Sequence, residues 1–256
     1  MQHTFTLAAW NFRLARRSLL ALWGVFAAQQ AAVILWRAAQ PGAAGLGLAS
    51  HYYDTMQIFV YLGFYLLTAL AAGAATHNSR RARSGYTWAT LPGTPAQKLA
   101  AKAITIAAAE LVFAAWQLVW YIVEFYPVTA LEGWHRRQMY GAVLPAANLY
   151  EQVVANNLFA RLLPRRPAQI VILLGILALS AAMLAALDTV RGWRKLPVFA
   201  SGLFCAWVCF GIVGIERHLE WLFDEPRYAF RIAAAAVLAV LTVWWAVRSI
   251  RRGEAA

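Results

Sequence analysis

Long apolar runs alternate along this chain with short stretches that gather nearly all of its basic residues. Six such runs, 18–36, 56–76, 103–126, 168–187, 196–215 and 228–247, are each about 20 residues long. At about 1.5 Å per residue, a helix of that length matches a hydrocarbon core of roughly 30 Å. The pattern predicts an all-α, polytopic integral membrane protein with six transmembrane helices in a single domain, 1–256. Ahead of the first run, Phe5, Leu7, Trp10, Phe12 and Leu14 alternate with polar positions and lead into Arg13, Arg16 and Arg17. That composition predicts a separate N-terminal interfacial helix with its arginines toward lipid headgroups.

The connections carry less pattern. Arg37 to Thr55 holds Pro41, Gly42, Gly45 and Gly47 and reads as a flexible external loop. In residues 127–167, Leu149, Tyr150, Val153, Val154, Leu158 and Leu162 recur at helical spacing against Glu151, Gln152, Asn156 and Asn157, which predicts an amphipathic helix lying on the outer surface. Glu216 to Arg227 reads as a short external turn, and the overlapping Ile215–Glu220 stretch reads as a solvated cluster with local ion pairs.

The third run is interrupted by Glu110, Gln117 and Glu124. Seven-residue steps drift only about 20° around a helix, so the three form one polar stripe. A carboxylate at membrane depth faces a bundle interior or a cavity. The stripe therefore marks either a translocation path or a helix contact, with a structural pairing of Glu110 to a nearby lysine or hydroxyl as the plainer alternative. Gln29 and Gln30, the strongly polar members of the first run, belong to the same class of path or interhelical contact.

Composition narrows the function. The chain has 256 residues, is 62% apolar and 13% charged, and includes 12 Trp, 10 Tyr and 13 Phe, outside the range of ordinary soluble domains. Its formal net charge of +12 reflects arginines and lysines at the ends of apolar runs, which encode topology and not a nucleic-acid surface. Basic groups at Arg13 to Arg17, Arg80 to Lys102, Arg191 to Lys195 and Arg248 to Arg252 place both termini in the cytoplasm of a multi-pass inner-membrane protein. Cys205 and Cys209 share one helical face inside an apolar run and read as packing residues, with no second pair at zinc-ligand spacing. There is no phosphate-binding G-x-x-x-x-G-K-[ST], no H-E-x-x-H and no G-x-S-x-G, so neither a catalytic nor a metal site is expected.

One polar segment stands apart. Arg80 to Lys102 carries five basic residues and no acid between two spans, as a cytoplasmic loop does. Leu91-Pro92-Gly93 is a turn signal, and Thr94-Pro95-Ala96-Gln97 reads as a capped helix start with Thr94 as N-cap and Gln97 closing a capping box. Upstream, Ser84 to Thr90 is short, amphipathic and aromatic. This run of basic residues, Ser-Gly-Tyr, Leu-Pro, Thr-Pro and spaced lysines resembles the cytoplasmic coupling helix of six-span, export-type (type-2) ABC transporter permeases. The resemblance implies that Arg83, Gly85, Tyr86, Trp88, Leu91, Pro92, Thr94 and Pro95 dock a separate ATPase. It also implies two ATPase subunits per complex, with ATP and Mg bound there and no cofactor on this chain, and a second permease copy or sibling. The implied activity is ATP-driven export of a drug, peptide or lipid-like substrate across the cytoplasmic membrane, with lipid and no nucleic acid as the other contact. A membrane-embedded enzyme and a non-transporting membrane anchor or assembly subunit are the alternatives.

Overall fold

The computed structural model describes residues 2–40, 42, 46–74, 90–141, 148–156, 159, 167–190, 192–214 and 226–252. Among these residues the chain is all-helical, with no strand. The helices are α1 (Gln2–Ala38), α2 (Leu48–Asp54), α3 (Gln57–Ala74), α4 (Pro95–Tyr140), α5 (Leu149–Ala155), α6 (Pro167–Thr189), α7 (Lys195–Gly214) and α8 (Pro226–Arg251), with a 3-10 turn at Gly192–Arg194 between α6 and α7. Four of them, α1, α3, α4 and α8, are long and apolar enough to cross a membrane, and α6 adds the shorter apolar stretch Leu173–Thr189. Large side chains such as Leu66, Leu67 and Leu70 on α3, Val119 and Val123 on α4, and Val237, Val240 and Leu241 on α8 stay exposed. Apolar surface of that extent is suited to lipid, where tails leave no drive to bury it.

Three expectations from the sequence are corrected. The N-terminal interfacial helix is not separate: residues 2–38 form one helix of 37 residues. No glycine or proline lies between Gln2 and Trp23 to end it. Its amphipathic start survives within that helix, with Leu7, Ala8, Asn11, Ala15 and Leu19 buried on one face and Arg13, Arg16 and Arg17 exposed on another.

The third apolar run extends beyond its expected boundary. α4 spans 46 residues with Pro127 inside it, about 69 Å at 1.5 Å per residue. A proline in a membrane helix removes one N–H donor, which neighbouring groups compensate. Consequently residues 127–140 continue α4, and among the described residues the amphipathic helix expected from Leu149 onward is represented by the seven-residue α5; Asn157, Leu158 and Leu162 lie outside the described residues. The connection 37–55 is not simply a flexible loop either, since it contains α2, with Leu48, His51 and Tyr52 buried.

Contacts group the chain into two compact units, each assembled from discontinuous stretches. The first comprises 1–17, 69–110 and 171–256, and the second 18–68 and 111–170. In the first, Met183, Cys205, Val208 and Ala235 form a buried cluster with Leu179, Phe204, Ile232 and Ala239 around it. Cys205 is thus a packing residue, its thiol 3.6 Å from the Ala235 carbonyl. In the second, an aromatic cluster joins α1, α3 and α4: Phe26 lies 5.1 Å from Phe113 and 6.4 Å from Tyr61, and Tyr61 stacks on Phe113 at 5.3 Å.

Candidate functional site

In the first unit, the described end of the coupling segment is a capped and packed helix start. Gly93 has φ 140°, a value glycine adopts without strain, and this lets the chain turn into α4. Thr94 N–H donates to Gln97 Oε1 at 2.9 Å and Gln97 N–H donates to Thr94 Oγ1 at 3.3 Å. This reciprocal pair is the expected capping box. Pro95 opens the helix, where its missing N–H leaves no bond unmade.

Leu91 packs against the buried trio Leu7, Ala8 and Ala101, while Pro92 and Thr94 are exposed. Further along α4, Thr105 Oγ1 donates to the Ala8 carbonyl at 3.2 Å and buried Lys102 pairs with Asp188 at the end of α6. The start of α4 is therefore fastened to α1 on one side and to α6 on another. Arg83, Gly85, Tyr86 and Trp88 lie outside the described residues.

The polar stripe of α4 is buried throughout but is divided between partners. Glu110, fully buried, accepts from Ser180 Oγ of α6 at 3.3 Å in the first unit. Gln117 and Glu124 belong to the second unit and meet through a residue that sequence reasoning missed. Tyr52 Oη donates to Glu124 Oε2 at 2.6 Å and accepts from Gln117 Nε2 at 3.3 Å. Burial first, and then the adjacent Glu124 charge, push the Tyr52 phenol well above the usual tyrosine value, so it stays a neutral donor.

A second knot fixes α2 in place. Glu132 Oε1 accepts from the Gly47 N–H at 2.9 Å and lies 2.8 Å from His51 Nε2. Glu132 Oε2 accepts from Arg136 at 3.3 Å. Gln152 of α5 accepts from the Ala49 N–H at 3.0 Å, and its carbonyl accepts from Tyr121 Oη at 2.9 Å. Edge-to-face rings close the assembly, Tyr121 lying 4.9 Å from Tyr52 and 4.8 Å from Phe159.

Of the expected path residues, Gln30 is buried and Gln29 half-buried on α1. His51, Tyr52, Glu132 and Arg136 went unnoticed in the sequence. Glu132 falls eight residues after Glu124 and so leaves the seven-residue spacing of the 110, 117, 124 stripe, which is why that spacing did not point to it. The Ile215–Glu220 cluster lies outside the described residues.

The architecture defines a multi-pass helical membrane protein. No protein-family model matches the chain, nor does any curated protein or solved structure, so the likeness to export permeases stands on the coupling-segment residues alone.

Proposed function

We propose that the chain is the membrane-spanning permease subunit of an ATP-driven ABC exporter. In this reading α1, α3, α4, α6, α7 and α8 make six crossings of the cytoplasmic membrane, with both termini in the cytoplasm. The permease pairs with a second copy or a sibling, and two ATPase subunits, which hold ATP and Mg, grip the segments before α4. The substrate is an unidentified drug, peptide or lipid-like molecule.

The observation that supports this best is the fastening of the α4 start. An ATPase that closes on nucleotide can move membrane helices only through a stiff element. The Thr94–Gln97 box, the Leu91 contact with α1 and the Lys102–Asp188 pair make the start of α4 such an element, so a push on 83–92 is passed to α1, α4 and α6 together. Tyr86 and Trp88 supply the apolar anchors, as aromatics do at contact centres.

The test is ATP hydrolysis by the complex purified through the tagged chain. Tyr86→Ala with Trp88→Ala is expected to abolish hydrolase retention or its stimulation. Unchanged retention and unchanged hydrolysis would remove the docking role.

A further inference from the structure

Two buried carboxylates of α4 in the second unit are compensated very differently. Glu132, 3% exposed, has its charge met by Arg136, by the Gly47 N–H and by His51. Glu124, also 3% exposed, has only neutral donors beside it, the Tyr52 hydroxyl on Oε2 and the Trp120 indole one turn back on α4. Among the described residues its Oε1 makes no hydrogen bond of good geometry, and no lysine, arginine or histidine pairs with either oxygen. Taking a carboxylate out of water without a partner is costly enough that such a group is neutralised or finds a cation.

Neighbouring amides are also unmatched. Gln117, fully buried, gives its N–H to Tyr52 but leaves Oε1 unused, and Gln30 and Gln57, 0% and 1% exposed, have no partner on either amide atom among the described residues. Register places these three amides on one side of the aromatic cluster. Gln30 and Gln117 each follow a clustered ring, Phe26 and Phe113, by one turn, and Gln57 precedes Tyr61 by one turn. The Trp23–Thr68 hydrogen bond together with the Phe26–Tyr61 contact makes α3 antiparallel to α1. All three amides therefore leave the cluster toward the end of the unit where α2 delivers Tyr52.

We propose that Tyr52, Gln117 and Glu124, with the amides of Gln30 and Gln57, form a buried binding site for one monovalent cation, either an alkali ion or the ammonium group of an amine. The site offers one uncompensated negative charge and several oxygen acceptors, which a single positive charge neutralises and a dication would overfill. Its carboxylate lies 22 residues along α4 from Lys102, about 33 Å, at the far limit of a hydrocarbon core of roughly 30 Å. The assignment does not depend on an ATPase partner.

The test is thermal unfolding of the purified full-length protein in detergent. Sodium, potassium or methylammonium chloride is titrated separately, with the bulky N-methylglucamine cation holding ionic strength constant. A ligand that binds only the folded state raises the midpoint. The wild type is expected to show a saturable rise with at least one of the three. A rise with sodium or potassium identifies an ion site, and a rise confined to methylammonium identifies an amine site. Glu124→Gln is expected to weaken the apparent affinity at least about tenfold, the ratio that corresponds to a lost charged hydrogen bond. Tyr52→Phe, which keeps the ring packing, is expected to weaken it less and guards against a folding failure of the first variant. No rise with any of the three, or the same rise in both variants as in the wild type, would overturn the proposal. So would a midpoint that responds to pH but to no cation, which would make Glu124 a protonated acid.

Discussion

At the scale of single residues, the second unit depends on a few polar contacts that lipid cannot replace. Gly47 shows this most clearly. Its φ is 77°, and an added Cβ would stand 2.7 Å from the Gln152 amide, the group that holds the Ala49 N–H. Gly47→Ala therefore combines backbone strain of roughly 1–3 kcal/mol with loss of that bond, and we expect a lower unfolding midpoint together with early proteolysis between α1 and α3. Glu132→Leu leaves Arg136 and His51 without their shared carboxylate, and breaking a buried pair in this way costs about 3–5 kcal/mol; thermal unfolding of the purified variant reads it.

Tyr52 sets a pH dependence. Because its folded-state pKa lies well above the ordinary tyrosine value of 10.0, the protonated phenol favours the fold. That contribution is complete below pH 10 and is lost as pH rises through the folded-state value. Stability measured from pH 8 upward should hold to about pH 10 and then fall, and Tyr52→Phe should flatten the fall. None of these residues was conspicuous in the sequence. Gly47, His51 and Tyr52 sit in a Gly- and Pro-bearing connection, and their partners are more than 60 positions away. Long-range pairing of that kind leaves no local period to read.

At the scale of elements, the helix start at Thr94 was fully legible, because a capping box is a four-residue device whose bonds are local. Thr94→Ala should cost about 1 kcal/mol and loosen the first turn of α4, which hydrogen exchange at Ala96 to Lys98 would detect. The helix ends were less legible. Pro127 looked like a stop, yet α4 continues to Tyr140, since in a buried helix a single missing donor is a smaller penalty than exposing a whole terminus. The junction after Arg17 looked like a change of environment, yet one helix runs straight through it. α2, with seven residues, is too short for hydrophobic periodicity to register, whereas α5, also of seven, falls at the start of the amphipathic pattern read from Leu149. The stripe at Glu110, Gln117 and Glu124 was correctly expected to be buried, while its division between Ser180 and Tyr52 rests on tertiary contacts that spacing does not encode.

At the scale of the whole molecule, the apolar composition and the long helices make the protein a multi-pass membrane protein. The functional account rests on the basic, aromatic segment before α4 being a cytoplasmic handle for a separate motor. The protein composition of the complex purified from native membranes through the full-length tagged chain tests that account most directly. It predicts a soluble nucleotide hydrolase with a phosphate-binding loop at one copy per permease chain, lost when Tyr86 and Trp88 are both alanine. A complex without any nucleotide hydrolase would contradict it.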